Sequence, residues 1–139
     1  MRMPGSKLLR ATFLLSVIGA PTFAENDQIA ASLTGHAGDP ARGAALFANR
    51  QISTCVLCHP EHPSPDTIGP SLAGVGRRLS QGQIRLRIFD AARVNPDTVM
   101  PSFARVSGLT RVGRPWLGKP ILDAEQIEDL VAFLAASRS

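Results

Sequence analysis

Apolar residues near the C-terminal end of the chain repeat with the period of an α-helix. They follow the spacing i, i+3, i+4, i+7, which places them on one helical face: Ile127, Leu130, Val131 and Leu134. Asp123 and Gln126 have the spacing of a capping box, so this helix is predicted to begin at Asp123. The pattern therefore predicts a final amphipathic helix with Phe133 beside its apolar face.

A first helix is predicted from Asp39 to about Arg50. Asp39 is a suitable N-cap, and Pro40 fits the first helical position because proline lacks the N–H that is unpaired there. Gly43 and Phe47 lie one turn apart on this helix. They indicate either ordinary amphipathic packing or a close approach by another helix at the glycine.

A middle helix is predicted from Ser80 to about Arg93. Ser80 and Gln83 form a second capping box, and the apolar stripe that follows contains Ile84, Ile88 and Ala91 or Ala92. Three arginines of this helix are expected to be mostly solvated, since arginine is usually exposed: Arg85, Arg87 and Arg93.

Stretches rich in proline and glycine separate the helices. Residues 25–37 lack a clear period and are expected to form a flexible lead-in. Residues 60–69 are expected to form a loop, residues 69–76 turns, and residues 104–122 irregular structure. With no alternation of strand and helix patterns, the sequence predicts an all-α domain over residues 38–139.

Residues 1–24 are predicted to be a cleavable signal peptide. A positively charged start precedes an apolar run at residues 11–20, which is too short to span a membrane. An uncleaved anchor is the alternative. Cleavage would leave a protein in the periplasm without a membrane anchor.

Loss of the signal peptide also changes the charge. The formal net charge is +4, but three of the fifteen basic residues lie in this segment and all eleven acidic residues follow it. The remaining chain is close to neutral, so a nucleic-acid or membrane-surface role has little support.

The run Cys55-Val56-Leu57-Cys58-His59 is the attachment pattern of a c-type haem. Two thiols at this spacing can form thioethers with the two vinyl groups of a porphyrin, and the next histidine can bind the iron. The alternatives are a redox dithiol and part of a zinc site. A redox dithiol would follow a strand in a β/α pattern, and the histidines at 36, 59 and 62 match no common zinc module. One covalently bound haem c is therefore expected.

Met100 is the candidate for the sixth position of the iron. Met1 and Met3 lie in the predicted signal peptide, so Met100 is the only methionine of the mature chain. It lies in a loop bracketed by prolines, and His/Met ligation is common in small electron-transfer cytochromes. His36 is the rival ligand, with Lys119 behind it.

Three other residues are considered near this site. The backbone carbonyl of Pro70 is the candidate acceptor for the ring N–H of His59, because metal-bound histidines need such a partner. His62 is too close to His59 in sequence to reach the opposite haem face, so a surface position is expected. Trp116, the only tryptophan, either covers a haem edge or propionate or caps a hydrophobic cluster.

The arrangement resembles the class I cytochromes c, in which CxxCH follows the first of three helices and Met-Pro follows the middle one. The resemblance implies three main helices around one haem. It also implies that the first and last helices cross at a glycine–aromatic contact, with Gly43 and Phe47 on one side and Phe133 with Leu130 on the other.

Two shorter runs add to this resemblance. Gly69-Pro70-x-Leu72-x-Gly74 resembles the turn after the haem motif, which assigns the Pro70 carbonyl to His59. Gly76-Arg77 resembles a position where an arginine lies near the haem propionates.

Within these cytochromes, the run Asn-Pro-Asp-Thr-Val-Met-Pro-Ser-Phe at residues 95–103 is similar to the SoxX family, the monohaem subunits of SoxAX complexes in bacterial thiosulfate oxidation. Residues 68–72, 118–122 and 126–134 are also similar. The resemblance implies that a SoxA-type cytochrome is the partner and that thiosulfate is joined oxidatively, at a SoxA haem, to a cysteine of a SoxYZ-type carrier. This subunit would pass the electrons to a downstream acceptor.

The chain itself is expected to contribute no catalytic residue, because no nucleophile, base or substrate pocket is evident beyond the haem ligands. Two alternatives remain open. One is a free-standing periplasmic cytochrome c that delivers electrons to a terminal oxidase, and the other is a haem-free dithiol or zinc module.

Overall fold

The computed structural model describes residues 27–110 and 112–138. Within these ranges the chain is helical and contains no strand, as predicted. The α-helices are α1 Pro40–Ala48, α2 Cys55–Cys58, α3 Val75–Arg78, α4 Gln81–Asp90 and α5 Ala124–Ala136, and 3₁₀ turns lie at Ala91–Arg93 and Arg114–Trp116. Each helix in these ranges falls short of the length and apolarity needed to cross a membrane. The predicted signal peptide lies outside the described residues.

The three longer helices begin where the capping patterns predicted. The carboxylate of Asp39 accepts hydrogen bonds from two free backbone N–H groups in the first turn of α1. The reciprocal capping boxes of Ser80 with Gln83 and of Asp123 with Gln126 are both formed. These local hydrogen bonds fix the starting points of α1, α4 and α5.

Helix α1 packs against α5 at the predicted glycine contact. A Cβ on Gly43 would lie 2.6 Å from the carbonyl carbon of Asp129 and 2.8 Å from the Cβ of Phe133, so only glycine permits this approach. One turn later, the ring centroids of Phe47 and Phe133 are 5.5 Å apart. The predicted crossing of the first and last helices is confirmed.

One apolar cluster forms the core beside these helices. Its buried members come from α3, α4, α5 and the loop between α4 and α5: Val75, Ile84, Ile88, Phe103, Leu122, Ile127, Leu130, Val131 and Leu134. The apolar stripes predicted for the middle and last helices therefore face each other across this core.

Helix α4 ends at Asp90, three residues before the predicted end at Arg93. The backbone N–H of Phe103 donates to the carbonyl of Ile88, and that of Ala104 donates to the carbonyl of Phe89, each at 3.2 Å. Backbone N–H groups of the loop that follows therefore bind carbonyls at the end of α4, and the chain continues from the helix as a 3₁₀ turn.

Two one-turn helices, α2 and α3, were not predicted, because four residues are too few to show a helical period. Helix α3 lies in and just beyond the stretch expected to form only turns, and it packs against the end of α5. A Cβ on Gly76 would lie 2.6 Å from the carbonyl carbon of Ala135, so this packing again depends on a glycine.

The expectation that Arg85 is solvated is wrong. Its side chain is 3% exposed and forms a two-pronged ion pair with Glu128, which is 2% exposed. The Nε–Oε1 distance is 2.6 Å and the Nη2–Oε2 distance is 2.9 Å. Arginine is tolerated at a buried position when its N–H groups are paired in this way.

The same ion pair attaches the second half of the lead-in. Arg85 Nη1 donates to the carbonyls of Ile29 and Ala30, at 2.7 and 3.3 Å. The backbone N–H of Leu33 donates to Glu128 Oε1 at 3.0 Å. Residues 29–33 thus lack helix, as the sequence indicated, but they are hydrogen-bonded to α4 and α5 rather than loose.

Candidate haem site

The fold forms a mostly apolar, partly open cavity of about 770 Å³. This volume lies in the range of pockets that hold cofactors, roughly 300–1,000 Å³. Five site residues singled out in the sequence line it: Cys55, Cys58, His59, Pro70 and Met100. The remaining wall is mostly apolar and comes mainly from residues 68–79, from α4 and α5, and from the loop between those two helices.

Helix α2 carries both cysteines in a single turn. Cys55 and Cys58 are three residues apart, so the helix brings them to one side. Thr54 precedes the helix in the left-handed region, with φ of 55°, a strained conformation for a β-branched residue. The loop before α2 is held by Asn49, whose side-chain oxygen accepts hydrogen bonds from the backbone N–H groups of Gln51 and Ile52.

His59 follows α2 directly, and its ring is held in one orientation. Its Nδ1 lies 2.8 Å from the carbonyl oxygen of Pro70, the contact that the sequence predicted. A carbonyl can only accept, so Nδ1 carries the proton and donates. In the neutral ring Nε2 then carries no proton, and its lone pair is available to a metal.

Gly69 closes one side of the His59 ring. Its backbone N–H donates to the carbonyl of Cys58 at 2.9 Å. A Cβ on Gly69 would lie 2.6 Å from His59 Nδ1 and 2.9 Å from that carbonyl oxygen. The space beside the ring is therefore too small for any other residue.

Replacing Gly69 with alanine is expected to push the His59 ring out of place. Overpacking of this kind costs about 1–3 kcal/mol, and the pressure falls on the ring and its bond to Pro70. We expect lower stability and a larger high-spin fraction in the optical spectrum of the ferric protein. Gly113→Ala is the control, because the nearest atom to its added Cβ is 3.9 Å away. Equal spectra for both variants would contradict the role of Gly69.

Met100 lies on the cavity wall in the loop that follows α4, and it is half-buried. Its backbone N–H donates to the hydroxyl of Thr98 at 3.1 Å. The rival ligands do not line the cavity: His36 is exposed and pairs with Glu125 at 3.0 Å, and Lys119 is exposed. Of the three ligands considered, only Met100 shares the cavity with His59.

The dithiol and zinc alternatives find little support in the site. Burial raises the pKa of the Cys55 thiol, whereas a reactive dithiol needs a cysteine with a lowered pKa. Within the described residues, no group of three or more His, Cys, Asp or Glu side chains is placed to hold a metal ion.

The other predicted neighbours lie elsewhere. Arg77 is exposed and does not line the cavity, whereas the adjacent Arg78 does. Trp116 is 50% exposed and also lies off the cavity wall, so it does not cover this site. His62 is at the surface, as expected.

Arg78 and Arg87 lie on the cavity wall, and neither is the arginine that the family resemblance placed near the haem propionates. Arg78 donates to the carbonyl of Ala73 and, at 3.1 Å, to that of Ser71. Arg87 donates to the carbonyl of Gln83 at 3.0 Å. A signal for Arg87 was present in the sequence, because it lies three residues after Ile84 and so falls on the apolar stripe of α4.

These features fit a covalently attached haem. The cavity is large and mostly apolar, two cysteines lie together on its wall, and His59 offers an oriented, unprotonated nitrogen. The family model for cytochrome c matches residues 40–137, which is most of the chain. The chain belongs to the cytochrome c family.

This cytochrome is also similar to a solved structure, the crystal structure of SoxXA from P. pantotrophus. The TM-score is 0.72 at 36% sequence identity, and the match covers 82% of this chain and 92% of that chain. No curated protein sequence matches significantly.

The family and structural matches together make the chain a SoxX-type cytochrome with the class I cytochrome c fold. It carries one covalently bound haem c and acts in electron transfer. The predictions of family, fold class and cofactor are confirmed.

Proposed function

We propose that this cytochrome is the electron-transfer subunit of a SoxAX-type complex, which joins thiosulfate oxidatively to a cysteine of a carrier protein. The observation that carries the proposal is the match to SoxXA at 36% identity over 82% of the chain. The run at residues 95–103, on which the sequence resemblance rests, forms the loop that carries Met100.

The residues of the cavity have separate roles in this proposal. Cys55 and Cys58 would hold the haem through thioether bonds. His59, oriented by the Pro70 carbonyl, would hold the iron through Nε2, and Met100 would hold it through its sulfur. When bound, the haem supplies one-electron chemistry, with its iron alternating between Fe(III) and Fe(II).

With both His59 and Met100 holding the iron, no position on it would be left for a substrate. The chain therefore acts as an electron carrier, and thiosulfate chemistry takes place on the partner. Methionine ligation raises the reduction potential, which suits a subunit that receives electrons from the reaction. Each new S–S bond between thiosulfate and a carrier cysteine releases two electrons, so the subunit turns over twice per bond.

Arg78 and Arg87 are the residues proposed to lie near the haem propionates, in place of Arg77. Both line the cavity, and both are cations that can pair with carboxylates. Their guanidinium groups are partly held by backbone carbonyls of Ser71 and Gln83, which limits their freedom to turn away.

The partners follow from the same proposal. A SoxA-type cytochrome is the stable partner, a SoxYZ-type protein carries the sulfur, and a further redox protein accepts the electrons. The chain is proposed to work in the periplasm after removal of residues 1–24. The nearly neutral charge of the remaining sequence accords with a protein partner and gives no support to nucleic acid.

A pull-down from periplasm tests the proposal. Tagged protein is purified under native conditions, and the co-eluting bands are stained for covalent haem. We expect a second, larger haem protein in equal amount, and reduction of this cytochrome by thiosulfate only when the sulfur carrier is added. A single haem band would contradict the complex and favour the free-standing carrier of electrons to an oxidase.

A further inference from the structure

A buried carboxylate lies at the end of α4, just behind the Met100 loop. Asp90 is 4% exposed. The hydroxyl of Ser102 donates to its Oδ1, and Arg105 Nε lies 2.9 Å from its Oδ2. One carboxylate thus contacts two residues that follow Met100 by two and five positions.

Arg105 extends this contact further along the loop. Its Nη1 donates to the carbonyls of Ser107 and Gly108, at 3.0 and 3.1 Å, and its Nη2 lies 3.4 Å from the Ser102 hydroxyl. The loop after Met100 is therefore folded around the guanidinium group, which is itself paired with Asp90.

The backbone fastens the same segment to α4. The N–H groups of Phe103 and Ala104 donate to the carbonyls of Ile88 and Phe89, the two residues before Asp90. Together with the side-chain contacts, these bonds leave the segment just after Met100 little freedom to move away from α4.

Asp90 is costly at this position for two reasons. A buried carboxylate loses its hydration, and the C-terminal end of a helix carries partial negative charge that repels it. A neutral residue would avoid both penalties. The carboxylate is of use here because its charge strengthens the hydrogen bond from the Ser102 hydroxyl and attracts the Arg105 guanidinium, whose Nε is paired with it as an ion pair and not as a hydrogen bond.

We propose that Asp90 and Arg105 are positioning residues that hold Met100 against the haem iron, acting through Ser102 and the backbone of residues 102–104. The proposal rests on Met100 being the axial ligand. Its consequence is that the pair controls how readily the sulfur leaves the iron, and thereby the reduction potential.

The test measures cyanide binding to the ferric holoprotein, because cyanide reaches the iron only after the methionine has left. We expect Asp90→Asn to bind cyanide about tenfold faster than wild type or more. We also expect a weaker red charge-transfer band, the band that methionine-ligated ferric haem gives, and a lower midpoint potential. Rates and spectra equal to those of wild type would overturn the proposal.

Asp129→Asn is the matched control. Asp129 is also a buried carboxylate paired with an arginine, Arg42, at 2.7 Å, but it lies on α5 and contacts the start of α1. It should lower stability without changing cyanide binding or the charge-transfer band. Equal acceleration in both variants would mean that general loosening is responsible, and the positioning role would be rejected.

Two further variants complete the design. Arg105→Gln should also accelerate cyanide binding. In the double variant Asp90→Asn/Arg105→Gln the two effects should not add, because both substitutions break the same contact. Fully additive effects would mean that Asp90 and Arg105 do not act through that contact. If Asp90→Asn does not fold, Ser102→Ala decides the matter, with an expected acceleration of about threefold and rejection if the rate is unchanged. Wild-type spectra without the methionine signature would overturn the ligand assignment instead, whatever the pull-down gives.

Discussion

Replacing Met100 with histidine is expected to lower the midpoint potential of the haem by on the order of 0.1 V or more, within the roughly 0.8 V range that axial ligands cover. A thioether stabilises Fe(II) relative to an imidazole nitrogen, so exchanging one for the other favours Fe(III). The measurement is a spectroelectrochemical titration of the holoprotein. The charge-transfer band of methionine ligation should vanish in the same variant.

The rival ligands supply the controls for this experiment. His36→Ala and Lys119→Ala should leave both the potential and the spectrum unchanged, because neither side chain lines the cavity. An unchanged potential in Met100→His would exclude Met100 as a ligand. A change in either control would then identify the side chain that replaces it.

The parts of the site that could be predicted depend on residues close together in sequence. Cys55, Cys58 and His59 are carried by one short motif, and Pro70 lies eleven positions after His59 in a run that resembles the turn after that motif. The starts of the three longer helices were likewise predictable, because the N-cap of α1 and the capping boxes of α4 and α5 join residues two or three apart.

The surroundings of the haem were harder to predict, because they depend on how distant segments pack. Whether Arg77 or Arg78 faces the cavity is set by the rotation of α3, which is fixed where Gly76 meets Ala135 on α5. A helix of one turn has no periodicity that could indicate this rotation. The exposure of Trp116 could not be predicted for the same reason, because it lies in a segment without a repeating pattern.

Arg85 shows most clearly what could not be predicted from the sequence. Its partner Glu128 is 43 residues away, and the carbonyls it binds are more than 50 residues away on the other side. The sequence places Arg87 on the apolar stripe of α4, but it gives no sign that Arg85 is the more deeply buried of the two. Only the packing of α4 on α5 separates a buried ion pair from a side chain on the haem cavity.

Removing one partner of the Arg85–Glu128 ion pair is expected to lower the free energy of unfolding more than any other substitution considered for this protein. Arg85→Met leaves the Glu128 carboxylate buried without its cation, and breaking a buried pair in this way typically costs about 3–5 kcal/mol. It also frees the carbonyls of Ile29 and Ala30, which detaches the lead-in. Urea unfolding of the holoprotein measures the change, with Arg93→Met, an exposed arginine just after α4, as the control.

The double variant Arg85→Met/Glu128→Leu separates charge from packing. If the unpaired carboxylate causes the loss, the apolar pair should recover a large part of it. If stability does not recover, the loss comes from the broken hydrogen bonds between Arg85 and the lead-in instead.

The pH dependence of the free energy of unfolding gives a second, independent test of the Arg85–Glu128 pair. Burial alone would raise the pKa of Glu128, but the hydrogen bonds from Arg85 and the Leu33 N–H outweigh it, so the pKa lies below its usual value of 4.5. The folded state therefore binds fewer protons than the unfolded state in acid. The stability from this group is present above about pH 4.5 and is lost as the pH falls through the lower folded pKa.

Glu128→Gln should accordingly flatten the fall in unfolding free energy below about pH 4.5, the usual pKa of this carboxyl. The fall should not disappear, because the guanidinium of Arg42 also holds the pKa of Asp129 below its usual value. An acid limb as steep as that of wild type would mean that Glu128 does not contribute to the acid sensitivity of the fold. A flattened limb would assign that share to the carboxylate that joins the lead-in, α4 and α5.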